Sequence, residues 1–373
     1  MILRELHGEI TKVIGKGKAI IVYGPRQVGK TTLLKSLLEN HKFLFLNGDD
    51  KTIVNALSEA STFDIKRIIG NFEYVFIDEA QKIPNIGNTL KIITDQMPEV
   101  QLFVSGSSSL EINQATQESL TGRKFEFEMF PISWNEFENQ VGYIESENQL
   151  EHRLIFGMYP DVITNSNLEH QILQNLSKSY LYQDILALTG IRKPEVLDRL
   201  LVALALQIGS EVSFNELAQL LQIDKGTVLK YIDLLEKSFI IFTLPSFSRN
   251  LRNEIKNNRK IYFYDNGIRN AILNNFNSLD TRQDKGALWE NFLISERKKS
   301  NAYTQKYCRS FFWRTQTQQE IDYIEEYGGQ IYSWEFKWIQ NKRVHTPLKF
   351  TETYNSIPTI IDRKNFREFI IAE

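Results

Sequence analysis

The sequence predicts an α/β chain built on a parallel sheet with helices on both faces, and three observations predict it. Residues 18–23 (KAIIVY) form a short apolar run that passes directly into Gly24-Pro25-Arg26-Gln27-Val28-Gly29-Lys30-Thr31 and then into the helix-periodic TLLKSLLEN. Residues 73–79 (EYVFIDE) read as a strand apolar on both faces and ending in two acids, the pattern of a strand inside a parallel sheet. Two more runs, 43–47 (FLFLN) and 101–105 (QLFVS), keep the rhythm of strands alternating with helical segments.

The first element carries chemistry. Strand, glycine loop and helix occur in the order that G-x-x-x-x-G-K-[ST] requires. Glycines let the backbone turn tightly and aim successive N–H groups at a phosphate, and the helix N-terminus adds the positive end of its dipole. Gly24, Pro25, Arg26, Gln27, Val28, Gly29, Lys30, Thr31 and Thr32 are therefore candidate contacts for ATP. Lys30 is expected on the β and γ oxygens, and the Thr31 hydroxyl on Mg²⁺. Asp78, at the end of the second element, is the candidate second Mg²⁺ ligand. Glu79, one residue on, is the candidate general base that orients water. The run Ser105-Gly106-Ser107-Ser108-Ser109 follows another strand, where a polar side chain would sense the γ-phosphate; a plain serine-rich loop fits it nearly as well.

Composition bounds the rest. The 373 residues suit two or three domains, with apolar and charged fractions of a soluble globular protein. The single cysteine, Cys308, excludes an intramolecular disulfide and fits a reducing cytoplasm. Charged residues interrupt the first ten positions, and no run approaches a membrane span, so neither a signal peptide nor a membrane partner is expected. Net charge is −2, unevenly spread: residues 246–373 hold 21 Lys and Arg against 15 Asp and Glu, and the remainder 23 against 31. An anionic partner for the C-terminal part and a mixed solvated surface account for this equally well.

GPRQVGKTTLL, FIDEAQKIP, SGSSSLEI and LTGRKFEFEMFPISWNEF resemble the AAA-type ATPase domain of a large prokaryotic family whose members end in a domain of unknown function, DUF4143. The resemblance runs over essentially the whole chain. It implies ATP and Mg²⁺ as cofactors and makes Arg123, in the LTGR segment, a candidate sensor or trans-acting arginine. On physical grounds one arginine before a strand is ordinarily a surface charge, and only a subunit or domain interface would carry it to a γ-phosphate.

The middle of the chain reads as mostly helical over 150–209, with Gly157-Met158-Tyr159-Pro160 as an interruption that the family shares. Ser213 caps the helix NELAQLLQ with Glu216 three residues on, Ile223-Asp224-Lys225-Gly226 turns, TVLKYIDLLEKS follows, and FIIFTL reads as a wing strand. This is a winged helix-turn-helix pattern. Its second helix mixes Lys225, Lys230 and Lys237 with Asp224, Asp233 and Glu236, which favours a structural connector over a DNA-reading helix. Arg249, Arg252, Lys256, Arg259 and Lys260 follow, either as phosphate contacts or as a solvated loop.

Near the C-terminus, two alternating runs flank Gly328-Gly329, a hairpin signal that places Asp322 opposite Glu335, with Lys337 on the same face as Glu335. Tyr332, Trp334, Phe336 and Trp338 are then expected on the opposite, core face. Facing carboxylates repel, and a divalent cation between them removes that cost. The D…E-x-K arrangement resembles the PD-(D/E)xK nuclease core, which makes Asp322 and Glu335 candidate metal ligands and Lys337 a candidate catalytic residue. By the same family resemblance Glu290, in GALWENFLISE, matches the first-helix acid. A plain charged face, with Lys337 paired to Glu320, explains the same residues without a metal.

The expected organisation is an ATPase domain over 1–145, a helical and winged-helix connector over 146–248, and a restriction-endonuclease-like α/β module over 249–373. Nucleotide state would control the last module, acting on nucleic acid or, in the alternative reading, engaging a protein partner without catalysis. Oligomers, including rings, are compatible with the pattern.

Overall fold

The computed structural model of the protein describes residues 2–107, 120–178, 194–248, 259–315, 317, 319–339 and 348–371. Ser108 and Ser109, and the basic Arg249, Arg252 and Lys256, lie outside them. The chain forms two compact units, Met1–Ile132 with Lys237–Phe239, and Ser133–Glu236 with Ile240–Glu373.

The first unit is a five-stranded, wholly parallel sheet flanked by helices. Its strands are β1 (Ala19–Tyr23), β2 (Phe43–Asn47), β3 (Tyr74–Asp78), β4 (Gln101–Gly106) and β5 (Lys124–Glu128), in the order β2-β3-β4-β1-β5. Every residue of β1 and β4 is buried, as strands at the sheet centre require, whereas the outer β2 and β5 are only partly covered. Among the described residues α1 (Glu5–Thr11) precedes the sheet, and α2 (Lys30–Leu37), α3 (Lys51–Leu57), α4 (Thr62–Ile69) and α5 (Ile86–Gln96) connect its strands. Local chemistry sets their starts. Asp50 accepts the Thr52 N–H ahead of α3, and Ser61 with Asp64 forms a reciprocal capping box on α4. One strand, β4, lies between β1 and β3, so its C-terminal end sits between the glycine loop and the paired acids.

The second unit begins with helices Trp134–Val141 and Tyr143–Phe156 and the short helix Pro160–Thr164. The Gly157–Pro160 interruption has a structural cause: the buried carboxylate of Asp265 accepts the Met158 N–H at 2.7 Å. Helices Pro194–Leu206, Phe214–Leu221 and Lys225–Lys237 follow. Ser213 caps the second of these, and Asp224 accepts the Thr227 N–H at 2.9 Å, so the expected turn at 223–226 closes after Asp224 and Lys225 already opens the next helix. A three-stranded antiparallel sheet, β6 (Glu211–Val212), β7 (Ile241–Pro245) and β8 (Arg259–Phe263), takes the order β6-β8-β7.

The 19-residue helix Lys285–Tyr303 is buried on every side over 291–297, and takes the polar Asn291, Ser295 and Glu296 inside with it. It covers a four-stranded sheet of β9 (Arg309–Arg314), β10 (Glu320–Tyr327), β11 (Gln330–Phe336) and β12 (Thr359–Ile361), in the order β12-β11-β10-β9. Phe247, Phe311, Trp313, Ile321, Ile324 and Phe350 form one core cluster. Tyr323, Trp334 and Phe336 pack around Phe369 in another, with ring centroids 5.2 to 5.9 Å apart. Tyr332 departs from the expected core stripe: it lies in the third pair from the hairpin turn and is 42% exposed. Among the described residues no helix is long and apolar enough to cross a membrane.

Candidate nucleotide site and C-terminal charge cluster

The loop between β1 and α2 is built for close backbone approach. A Cβ on Gly24 would lie 2.0 Å from the Met129 carbonyl oxygen, and Gly29 holds φ +96° immediately before α2, so both positions need glycine. Lys30 is 6% exposed, and its Nζ donates to the Gly24 and Pro25 carbonyls at 2.8 and 2.6 Å. The ammonium therefore sits inside the turn that the loop makes. Val28 is wholly buried, while Gln27 takes a positive φ of 58°. Arg4, a residue that motif reading passed over, is buried and donates to the Val28 carbonyl at 2.6 Å and the Phe130 carbonyl at 2.7 Å. It fastens the loop to the segment that follows β5. An arginine immediately before a short helix carries no sequence signal of that task.

Asp78, 7% exposed at the end of β3, meets the loop through Thr31, whose Oγ1 donates to Oδ2 at 2.9 Å. Ser105, at the end of the intervening β4, donates to the other carboxylate oxygen. Glu79 follows in the left-handed region at φ 49°, a costly conformation for a residue with a side chain. Gln81 Nε2 bridges the Glu79 carboxylate at 2.6 Å and Ser107 Oγ at 2.8 Å. The Gln81 carbonyl oxygen is buried and meets no hydrogen-bond donor. The structure thus brings together Lys30, Thr31, Asp78, Glu79 and the serines at the end of β4, as the strand order requires.

Arg123 is elsewhere. It immediately precedes β5, whose Lys124 pairs with Ala19 at the start of β1, and its own carbonyl accepts the Ala19 N–H at 2.9 Å. The glycine loop leaves the other end of β1, roughly 20 Å away at strand rise. Arg123 is ion-paired with Asp95 on α5. This placement removes the sensor role for Arg123 within its own unit, because a parallel strand holds its two ends on opposite sheet edges.

In the second unit the hairpin register is as expected from Tyr327↔Gln330 to Tyr323↔Trp334, and Gly328 and Gly329 turn it with φ 58° and 77°. The ladder then stops. Asp322 accepts the Phe336 N–H at 2.8 Å instead of facing Glu335 across a ladder pair, and a register shift between Ile321 and Ile324 bends this part of β10. Glu335 pairs with Lys337 at 3.4 Å. Glu320 pairs not with Lys337 but with Lys260 on β8, at 2.5 Å. Lys260 also reaches Glu290 Oε1 at 3.1 Å, and the Tyr262 hydroxyl donates to that same oxygen at 2.6 Å.

Lys260 is therefore no phosphate contact. It is 2% exposed, on the strand at the centre of the three-stranded sheet. Burial alone lowers its affinity for a proton, yet Glu290, Glu320 and Asp322 together outweigh burial and hold the ammonium charged well above its usual range. Burial pushes Glu290 up to about 7 against the pull of Lys260, with the Asp322 charge adding to the rise. Asp322 and Glu335 are raised too, first by burial. Among the described residues no three His, Cys, Asp or Glu side chains are grouped to hold a metal ion. The expected set of Glu290, Asp322 and Glu335 is thus not assembled as a metal cage: each carboxylate is turned to a lysine, a tyrosine or a backbone N–H.

The fold and the first site define a P-loop ATPase-type unit. Comparison with known proteins agrees: residues 16–138 match the AAA domain family AAA_14, and residues 285–369 match DUF4143, a domain of unknown function. Over residues 16–138 the chain thus carries a unit similar to the AAA domain, followed by a match to DUF4143. Between these, residues 147–279 match another domain of unknown function, DUF8612. An uncharacterized protein of Methanocaldococcus jannaschii is 25% identical over 333 residues, covering 82% of this chain and 72% of that protein. An uncharacterized protein of Mycobacterium tuberculosis is 25% identical over 339 residues, covering 90% and 73%. Among solved structures, the Walker-type ATPase of Pyrococcus abyssi shares the fold with a TM-score of 0.53 at 14% identity, covering 73% of this chain and 96% of that one.

Proposed function

We propose that the chain is a Mg²⁺-dependent ATPase whose nucleotide state governs its C-terminal module. The observation that carries this reading is the Thr31–Asp78 hydrogen bond at the foot of the glycine loop. It pairs one hydroxyl and one carboxylate, hard oxygen donors of the kind Mg²⁺ takes alongside waters and phosphate oxygens. Thr31 and Asp78 would hold Mg²⁺, which would supply charge neutralisation for the phosphates, and Lys30, now on the Gly24 and Pro25 carbonyls, would turn to phosphate. Glu79 takes a proton from the attacking water, and Gln81 fixes its carboxylate. The remaining loop residues, Pro25, Arg26, Gln27, Val28 and Thr32, shape the cradle. ATP turnover lost in Lys30→Ala, with the fold intact by circular dichroism, tests the assignment; unchanged turnover refutes it.

The helices Phe214–Leu221 and Lys225–Lys237 with the β6-β8-β7 sheet support a winged-helix reading of the connector. Its exposed Lys225 and Lys230 are offset by the exposed Asp224 and Asp233, which supports a structural rather than a groove-reading role. We divide the chain into an ATPase domain, this connector and a nuclease-like module. For the last module two readings stand: a nucleic-acid nuclease and an inactive fold that engages a protein partner. The engagement of its carboxylates by Lys260, Tyr262 and Lys337 favours the second. Cleavage of mixed single- and double-stranded DNA and RNA with Mg²⁺ or Mn²⁺, lost in Glu335→Ala, would restore the first. The trans role for Arg123 requires an oligomer, which mass in solution with and without ATP decides.

A further inference from the structure

We infer that Lys260 is the built-in cation of the C-terminal acid cluster, its ammonium taking the place that a divalent metal would occupy among Glu290, Glu320 and Asp322. Lys260 and Tyr262 are two residues apart on β8, so they share a face, and both reach the same oxygen of Glu290. Glu290 comes from the long buried helix, and Glu320 and Asp322 from β10. Acids from two separate elements therefore converge on one 2%-exposed ammonium carried by a third. Its Nζ lies 5.5 Å from the centre of the Phe312 ring, which closes the site on another side.

The chemistry distinguishes an ammonium from a metal. Divalent cations of the hard class draw oxygen ligands to about 2.0–2.6 Å and want six or more of them, waters included. An ammonium has three donors and is satisfied by two or three acceptors at ordinary hydrogen-bond lengths, as found at 2.5 and 3.1 Å. A second positive charge beside it would meet strong repulsion in a site of low dielectric. The remaining acid has its own cation: Lys337 serves Glu335, while Arg314, 3.8 Å from Glu320, adds a further positive charge at the cluster. This arrangement supplies the charge balance that facing carboxylates need, from within the chain.

The inference stands apart from the ATPase reading, because the comparison cancels the nucleotide site. Mn²⁺ is titrated, without nucleotide, into wild type, Asp322→Asn, Lys260→Met and the double variant, followed by Mn²⁺ electron paramagnetic resonance and by melting temperature. Wild type and Asp322→Asn are expected to bind Mn²⁺ identically. Lys260→Met, which removes the charge and keeps the length, is expected to gain one Mn²⁺ site and a Mn²⁺-dependent rise in melting temperature, both lost in the double variant. A Mn²⁺ site in wild type that Asp322→Asn abolishes overturns the inference, as does a folded Lys260→Met that gains none. Should Lys260→Met fail to fold, the wild-type and Asp322→Asn pair decides alone.

Discussion

Thr31 Oγ1 donates to Asp78 Oδ2 at 2.9 Å, joining the first turn of α2 to the end of β3 across the one strand, β4, that lies between their sheet positions. Ser105, on that intervening strand, donates to the same carboxylate. Two hydroxyls thus aim a single buried acid at the glycine loop. Asp78→Asn keeps the shape and removes the charge. It is expected to lower turnover by about 10²-fold, the size of loss seen when one transition-state contact is removed. Nucleotide affinity measured in the absence of Mg²⁺ should hardly change, whereas the gain in affinity on adding Mg²⁺ should vanish.

Glu79 and Gln81 act as a pair. Glu79→Gln is expected to cost about 10²-fold or more in kcat with nucleotide binding retained, the signature of a lost general base. Gln81→Ala frees the Glu79 carboxylate and the Ser107 hydroxyl together, and about tenfold in kcat at unchanged KM is the expected loss. Steady-state kinetics on both variants separates this from a structural effect, which would move KM and melting temperature as well.

How much of this was legible in sequence differs by element. The strand 43–47 was read with its observed bounds, because turn residues flank an unbroken apolar run. The loop and its two acids were legible because a local motif dictates them, and the hairpin register followed from Gly328-Gly329 for every pair down to Tyr323↔Trp334. The next step, Asp322 opposite Glu335, failed because the register shift in β10 is set by packing around Ile321 and Ile324, which no local pattern reports. Sequence leaves Lys260 as either a phosphate contact or part of a solvated loop, because its partners Glu290 and Glu320 lie 30 and 60 positions away; only its place at the head of the buried run KIYFY points elsewhere. Arg4 escaped notice for the same reason, since its partner Phe130 is 126 positions distant.

Arg4→Ala removes a buried guanidinium that holds two carbonyls, and roughly 2 kcal/mol of stability is the expected loss. Arg4→Lys should recover little of it, because one ammonium lacks the planar fork that spans Val28 and Phe130. Chemical denaturation of the three proteins checks this, with an unchanged midpoint for Arg4→Ala counting against the tether.

Arg123, tied to Asp95 at the far edge of its own sheet, is expected to be silent in an isolated chain. Arg123→Ala should leave turnover unchanged at concentrations where light scattering shows monomer. A loss of turnover confined to assembled protein would give the residue a role in trans.

Acid stability turns on Asp284. It sits between Arg269 and Arg282, whose hydrogen bonds and charges outweigh burial and hold its carboxyl well below the usual range. A depressed carboxyl contributes stability above its unfolded value near 4 and loses it as pH falls below that. Asp284→Asn is expected to cost roughly 3 kcal/mol at pH 7, leaving Arg269 buried without its partner. The difference from wild type should shrink between pH 4 and lower values, in denaturation midpoints taken at steps across that range.

The most direct test of the account is ATP turnover and nucleotide binding measured side by side on wild type, Lys30→Ala and Glu79→Gln with Mg²⁺ present. The account expects wild type to bind and hydrolyse, Glu79→Gln to bind without hydrolysing, and Lys30→Ala to do neither. Hydrolysis by Glu79→Gln at the wild-type rate, or nucleotide binding indifferent to Lys30→Ala, would contradict it.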